Sequence, residues 1–205
     1  MKTFHMIPML VAAAVCLLSF APQTHAMEEF RVNFEKKTSI DRSTTDEGPG
    51  GAQLAAKGVK RVERNNFDAT VSYSGLENAK NVTITFYIIG VCSCSATRDK
   101  KLLLAAKYEH PAQDFNAGQA KAFLIGPIGF PEWEVKKDNW SCKYGLKYEG
   151  WVAEFSRDGK VFATVGKTPD LAKKVSKNEI HENVPGFEKP DTGDKPKCVQ
   201  QPAKA

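Results

Sequence analysis

The chain has 205 residues, of which 41% are hydrophobic and 26% charged, with a formal net charge of +5. That length supports one domain with a core plus tails and is short for two. The lysines are spread along the chain instead of forming a stripe interleaved with aromatics, which argues against nucleic acid or a membrane surface as partner.

Lys2 precedes an apolar run from Ile7 to Phe20, and Thr24-His25-Ala26 ends in the small residue that signal peptidase requires. Residues 1–26 are therefore expected to be a signal peptide cleaved after Ala26, which exports the chain to a periplasm or out of the cell. The apolar run is short and bracketed by Pro8 and Pro22, against a spanning helix. Val15 in front of Cys16 stands where a lipoprotein signal needs a small residue. No membrane association is expected after cleavage. Removal of Lys2 and of no acid leaves a net charge of +4.

Phe30, Val32 and Phe34 alternate with polar residues, as in a strand with one buried face. Residues 41–51, DRSTTDEGPGG, read as a flexible loop. Val59 and Val62 are too sparse to assign. Phe67, Ala69, Val71 and Tyr73 alternate cleanly with polar neighbours and predict a strand. A turn over 75–80 leads to a second strand, with Val82, Ile84, Phe86 and Ile88 on its core face. Continued through Gly90, that strand carries Cys92 and Cys94 on the same face. Leu102 to Tyr108 leans to strand, Phe123 to Ile128 is another short apolar run, and residues 129–145 read as a loop rich in aromatics.

The next stretch predicts a β-hairpin. Asp158-Gly159 suits a turn with positive φ at both central positions, and it separates two runs rich in Val, Phe and Trp. With those two residues as the loop, Phe155 faces Phe162, and the hairpin is apolar on both sides. Thr168-Pro169-Asp170 opens a helical turn through Val175. Residues 176–205, with four prolines and few large apolar groups, read as a disordered Lys/Pro-rich tail.

Short strands, frequent turns and no long amphipathic helix predict an all-β antiparallel β-sandwich over 27–175, immunoglobulin-like, with a short C-terminal helical turn. The segments 67–92 (FDATVSYSGLENAKNVTITFYIIG and the residues after it) and 146–171 (YEGWVAEFSRDGKVFATVGKTPDL at its centre) are similar to an uncharacterised family of small exported bacterial β-sandwich proteins. A Gly-Trp strand, an Asp-Gly-Lys turn and a closing Pro recur there. The resemblance implies a fold and no activity.

Four cysteines remain after cleavage: Cys92, Cys94, Cys142 and Cys198. An even number in an exported chain points to disulfides, with three connectivities open. Bonding Cys92 to Cys94 closes a strained small ring, so each is expected to bond elsewhere. A redox or metal-handling role for the Cys92/Cys94 pair is the alternative, but there is no CxxC at a helix start and no histidine at metal spacing near His110 or His181. No GxSxG elbow, Cys–His signature or phosphate loop is present. The expectation is therefore a non-catalytic module with no catalytic residue, cofactor or metal site, which binds an unknown protein or glycan. Phe130, Trp133, Trp140 and Tyr144 are the candidate contacts, and Trp133 with Trp140 the candidate sugar platform; the same aromatics capping the core is the competing reading. The intact mass of the exported chain is expected to begin at Met27; a mass retaining residues 1–26 would contradict export by this signal.

Overall fold

The computed structural model describes residues 30–47, 53–94, 100–137, 140–180, 185–187 and 198–200. Seven strands form one antiparallel sheet: β1 (Phe30–Glu47), β2 (Gln53–Tyr73), β3 (Ala79–Cys94), β4 (Lys100–Phe115), β5 (Ala120–Lys137), β6 (Trp140–Arg157) and β7 (Lys160–Gly166). Helix α1 (Pro169–Ser176) follows, then a short pair, β8 (Pro185–Phe187) and β9 (Cys198–Gln200).

The strand order is β1-β2-β5-β6-β3-β4, with β7 also on β6. One edge of β6 pairs with β3 along nearly its whole length. The other edge is divided, since β5 pairs with Trp140–Gly145 and β7 with Val152–Arg157. The sheet splits there into two layers, β1-β2-β5 and β4-β3-β6-β7, which fold over one another as a sandwich.

Aromatic contacts join the layers. Phe30 of β1 stacks on Phe155 of β6 at 4.3 Å, Phe34 stacks on Trp151 at 4.9 Å, and Phe67 of β2 meets Tyr148 at 5.1 Å. Phe123 of β5 closes on Phe86 of β3 at 5.8 Å. The alternation read from the sequence places these side chains: Phe67, Ala69, Val71 and Tyr73 are buried on β2, and Val82, Ile84, Phe86 and Ile88 on β3.

Several elements differ from the sequence reading. Residues 41–47 continue β1 instead of beginning a loop, because β2 reaches back to Gln53 and supplies their backbone partners. The turn itself is as expected, with Asp158 at φ 50° and Gly159 at φ 75°. The register beyond it is not: Phe155 lies opposite Ala163, and a bulge leaves Phe162 as the extra residue, 40% exposed. β7 is an edge strand, so its outer residues meet solvent while Val152, Ala153 and Phe155 of β6 are fully buried. A second irregularity, opposite Ile89 and Gly90, skips Glu149 and returns Tyr148 to the core face.

Gly145 sits where β5 and β6 part. Its φ is +154°, and a Cβ there would stand 2.5 Å from the Pro131 carbonyl oxygen and 2.6 Å from Glu132 Cα. Only glycine allows that approach.

Thr168 caps α1 by accepting a hydrogen bond from Leu171 N at 3.3 Å, and Leu171 packs with Ile89 and Val152 on the outer face of the second layer. Packing continues past Val175, since Ile180 is buried in the same cluster. Phe155→Ala is expected to lower stability by about 3–5 kcal/mol, measured by chemical denaturation. Leu124→Ala, at a side chain 80% exposed, should change it by less than about 0.5 kcal/mol.

Candidate functional site

The aromatic stretch 129–145 is not a loop. Its residues form the facing ends of β5 and β6, paired from Glu132↔Gly145 to Lys137↔Trp140. Phe130 and Trp133 are buried, 2% and 5% exposed, and belong to the main core. Phe130 packs edge-on against Tyr148 at 5.8 Å, and the Lys60 ammonium lies 5.6 Å from the Trp133 ring centre. Both rings are covered by the core and present little surface to a ligand. The hydrophobic gain from closing the core outweighs leaving them exposed. The side chains of Trp140 and Tyr144 lie outside the described residues, as do those of Cys94, Cys142 and Cys198. Cys92 is on the core face of β3, fully buried, and its sulfur is bonded in a disulfide.

At the same end of the sandwich three hairpins finish together. β1 turns to β2 after Glu47, β3 to β4 after Cys94, and β5 to β6 after Lys137. Gly58↔Val135 and Cys94↔Tyr144 show that these strand ends are neighbours. Along this end the inner face of the first layer changes character. Core-facing Phe67 is followed, back along β2, by Asn65, Glu63, Arg61 and Val59.

Asn65 is fully buried and polar, and both ends of its amide are paired: Thr38 Oγ1 donates to Asn65 Oδ1 at 2.7 Å, and Asn65 Nδ2 donates to Glu63 Oε1 at 3.1 Å. Lys36 Nζ donates to the same Glu63 oxygen at 3.0 Å. Burial works to raise the Glu63 carboxyl. The hydrogen bonds from Lys36 and Asn65, with the charges of Lys36 and Arg61, outweigh it and hold the group below its ordinary pKa. On the opposite face of β1 and β2 Asp41 pairs with Arg64, while farther out along the face of Glu63 and Arg61 Glu132 pairs with Lys147 at 3.1 Å and Glu134 with Lys143 at 3.6 Å. Ile40 and Val59 stand on the same face, 46% and 44% exposed. Large apolar side chains left open among charges are suited to contact, not to proton transfer.

Burial also shifts the titration of two groups packed against the core. Tyr148 lies under two ammonium groups, Lys36 at 5.2 Å and Lys167 at 5.4 Å, yet burial pushes its hydroxyl up to about 12. It stays protonated at neutral pH. His110 meets Phe123 and Phe86 edge-on, its Nε2 is buried without a hydrogen bond among the described residues, and burial pushes its pKa down. On the outer face, a cavity of about 80 Å³ lies between α1 and the sheet, lined by Tyr87, Leu104, Glu154, Val175, Asn178 and Ile180. Tyr87 donates to Glu154 there at 2.7 Å. Among the described residues no group of three or more His, Cys, Asp or Glu side chains is placed to hold a metal. Sequence reasoning missed the Glu63–Asn65 network and the Tyr148 lysines, whose members are joined across strands far apart in the chain.

No family model matches the chain, and no curated protein matches it. Among solved structures, a protein from Akkermansia muciniphila is 13% identical at a TM-score of 0.21, covering 76% of this chain and 77% of that one. A β-D-glucoside glucohydrolase from Trichoderma reesei is 12% identical at a TM-score of 0.23, covering 67% of this chain and 18% of that one. Likenesses at these scores carry no argument about fold or activity.

Both shifts tie stability to pH in the same direction. Glu63, with its folded pKa depressed, contributes stability above its unfolded value of 4.5 that is lost as pH falls through the folded value. His110, also depressed, lets stability decline as pH drops from its unfolded value of 6.5 toward the folded one. Denaturation midpoints measured from pH 7 to pH 5 should fall, and His110→Gln should flatten that part of the curve. An unchanged slope in the variant would assign the decline to other groups.

Proposed function

We propose that this chain is an exported, non-catalytic interaction module that binds a protein partner through the hairpin end of an immunoglobulin-like sandwich. The observation that carries the reading is the inner face of β1 and β2 beyond the core, where Ile40 and Val59 stand exposed among Arg42, Arg61 and Glu63. Mixed apolar and charged faces of this kind, rich in Arg, suit protein interfaces. The immunoglobulin-like architecture is supported by the division of strands one, two and five from strands four, three, six and seven, which mixes sequence neighbours between layers.

Two other chemistries have less support. Burial of Trp133 removes one of the two rings a sugar platform needs. The buried, bonded sulfur of Cys92 disfavours a working dithiol with Cys94.

A photo-crosslinking residue at position 59, carried by the exported full-length chain in its own host, tests the reading. The expected result is a discrete protein adduct whose yield falls severalfold when Ile40→Glu is added. The same probe at Leu124, exposed on the outer face of β5, should give none. An equal adduct pattern from both positions would sink the proposal.

A further inference from the structure

We infer that Cys92 is bonded to Cys198 and Cys94 to Cys142, so that the C-terminal segment is a covalent part of the sandwich. Four cysteines allow three connectivities, and strand register discriminates among them. Cys92 lies opposite Leu146 on β6, and Cys94 opposite Tyr144. Cys142 is therefore four residues along β6 from the partner of Cys92. At about 3.3 Å per residue that is roughly 13 Å along the strand. A disulfide needs Cα atoms within about 7 Å. A Cys92–Cys142 bond does not fit.

Cys92 and Cys94 are next-but-one neighbours on a single paired strand, where closing the small ring would distort a backbone that is hydrogen-bonded on both sides. This leaves Cys198. It is the first residue of β9, and β9 lies against β3, the strand that carries Cys92. Cys94 and Cys142 then remain. They occupy adjacent strands on one face, offset by two residues from direct pairing. A diagonal of that kind is about 7–8 Å between Cα atoms, at the upper edge of disulfide reach and far shorter than the separation that rules out Cys92–Cys142.

Each bond forms when two thiols give up two protons and two electrons to an oxidised dithiol carrier, whose own disulfide is reduced to two thiols. The first bond closes the chain between β3 and β9 and holds the β8–β9 pair against the domain. The second ties β3 to β6 at the hairpin end.

Mass spectrometry of the unreduced, full-length exported protein decides the matter. The intact protein should be two hydrogens lighter per bridge than its reduced form and should take up no alkylating agent. Trypsin leaves Cys92 and Cys94 in one peptide, so fragment ions on either side of Ser93 must assign each link. Cys92 joined to the CVQQPAK peptide and Cys94 joined to DNWSCK is the expected outcome. Cys92 joined to DNWSCK or to Cys94, or alkylated without reduction, would overturn the assignment. In a Cys198→Ala chain, the single freed thiol should map to Cys92 and react only after denaturation; a thiol freed at Cys94 would overturn it equally.

Discussion

The divided edge of β6 is the constraint on which the rest of the structure depends. A strand has two hydrogen-bonding edges, and β6 commits one to β3 and shares the other between β5 and β7. Because β5 and β7 cannot both continue along the same edge, the sheet must separate into two layers where they part. Gly145 allows the separation by letting β6 pass within contact of the Pro131–Glu132 backbone. The two layers then bury their apolar faces against each other, and the stacked pairs Phe30–Phe155 and Phe34–Trp151 align them.

From that arrangement follows a polarity along the sandwich. At one end the inner face is aromatic and closed. Toward the hairpin end it passes through a buried asparagine into a row of charges, and the transition is managed by one connected network in which Thr38, Asn65, Glu63 and Lys36 satisfy one another. A buried polar group without those partners would cost a few kcal/mol, so the network is a condition for the sheet to run on past its core. The open face beyond it is what the proposed partner would meet. The remaining titratable groups of note, Tyr148 and His110, are each held in their neutral form by burial.

The outer face of the second layer is covered differently. Helix α1 lays Leu171 over Ile89 and Val152, and Gly150 leaves room for it, since a Cβ there would stand 2.6 Å from Leu171 Cδ1. The same helix and the residues after it roof the small cavity beside Tyr87 and Glu154. β3 and β6 are thereby buried on both sides, which accounts for their near-continuous apolar runs.

Local pattern alone determined the antiparallel strands, the faces of β2 and β3, the Asp158-Gly159 turn and the capped helix at Pro169, because each depends on residues within a few positions of one another. The core placement of Cys92 was legible for the same reason. Tertiary structure decided the rest. The period of two cannot foresee a bulge, so neither the partial exposure of Phe162 nor the return of Tyr148 to the core face is readable from it. Ser and Thr in 41–47 resemble a loop until β2 supplies their backbone partners. Phe130 and Trp133 sit among Gly and Pro, and only the pairing of β5 with β6 shows that they close the core. Which cysteine lies near which, and which charges neutralise Glu63, depend on contacts between strands distant in sequence, and those are set by the register of the whole sheet.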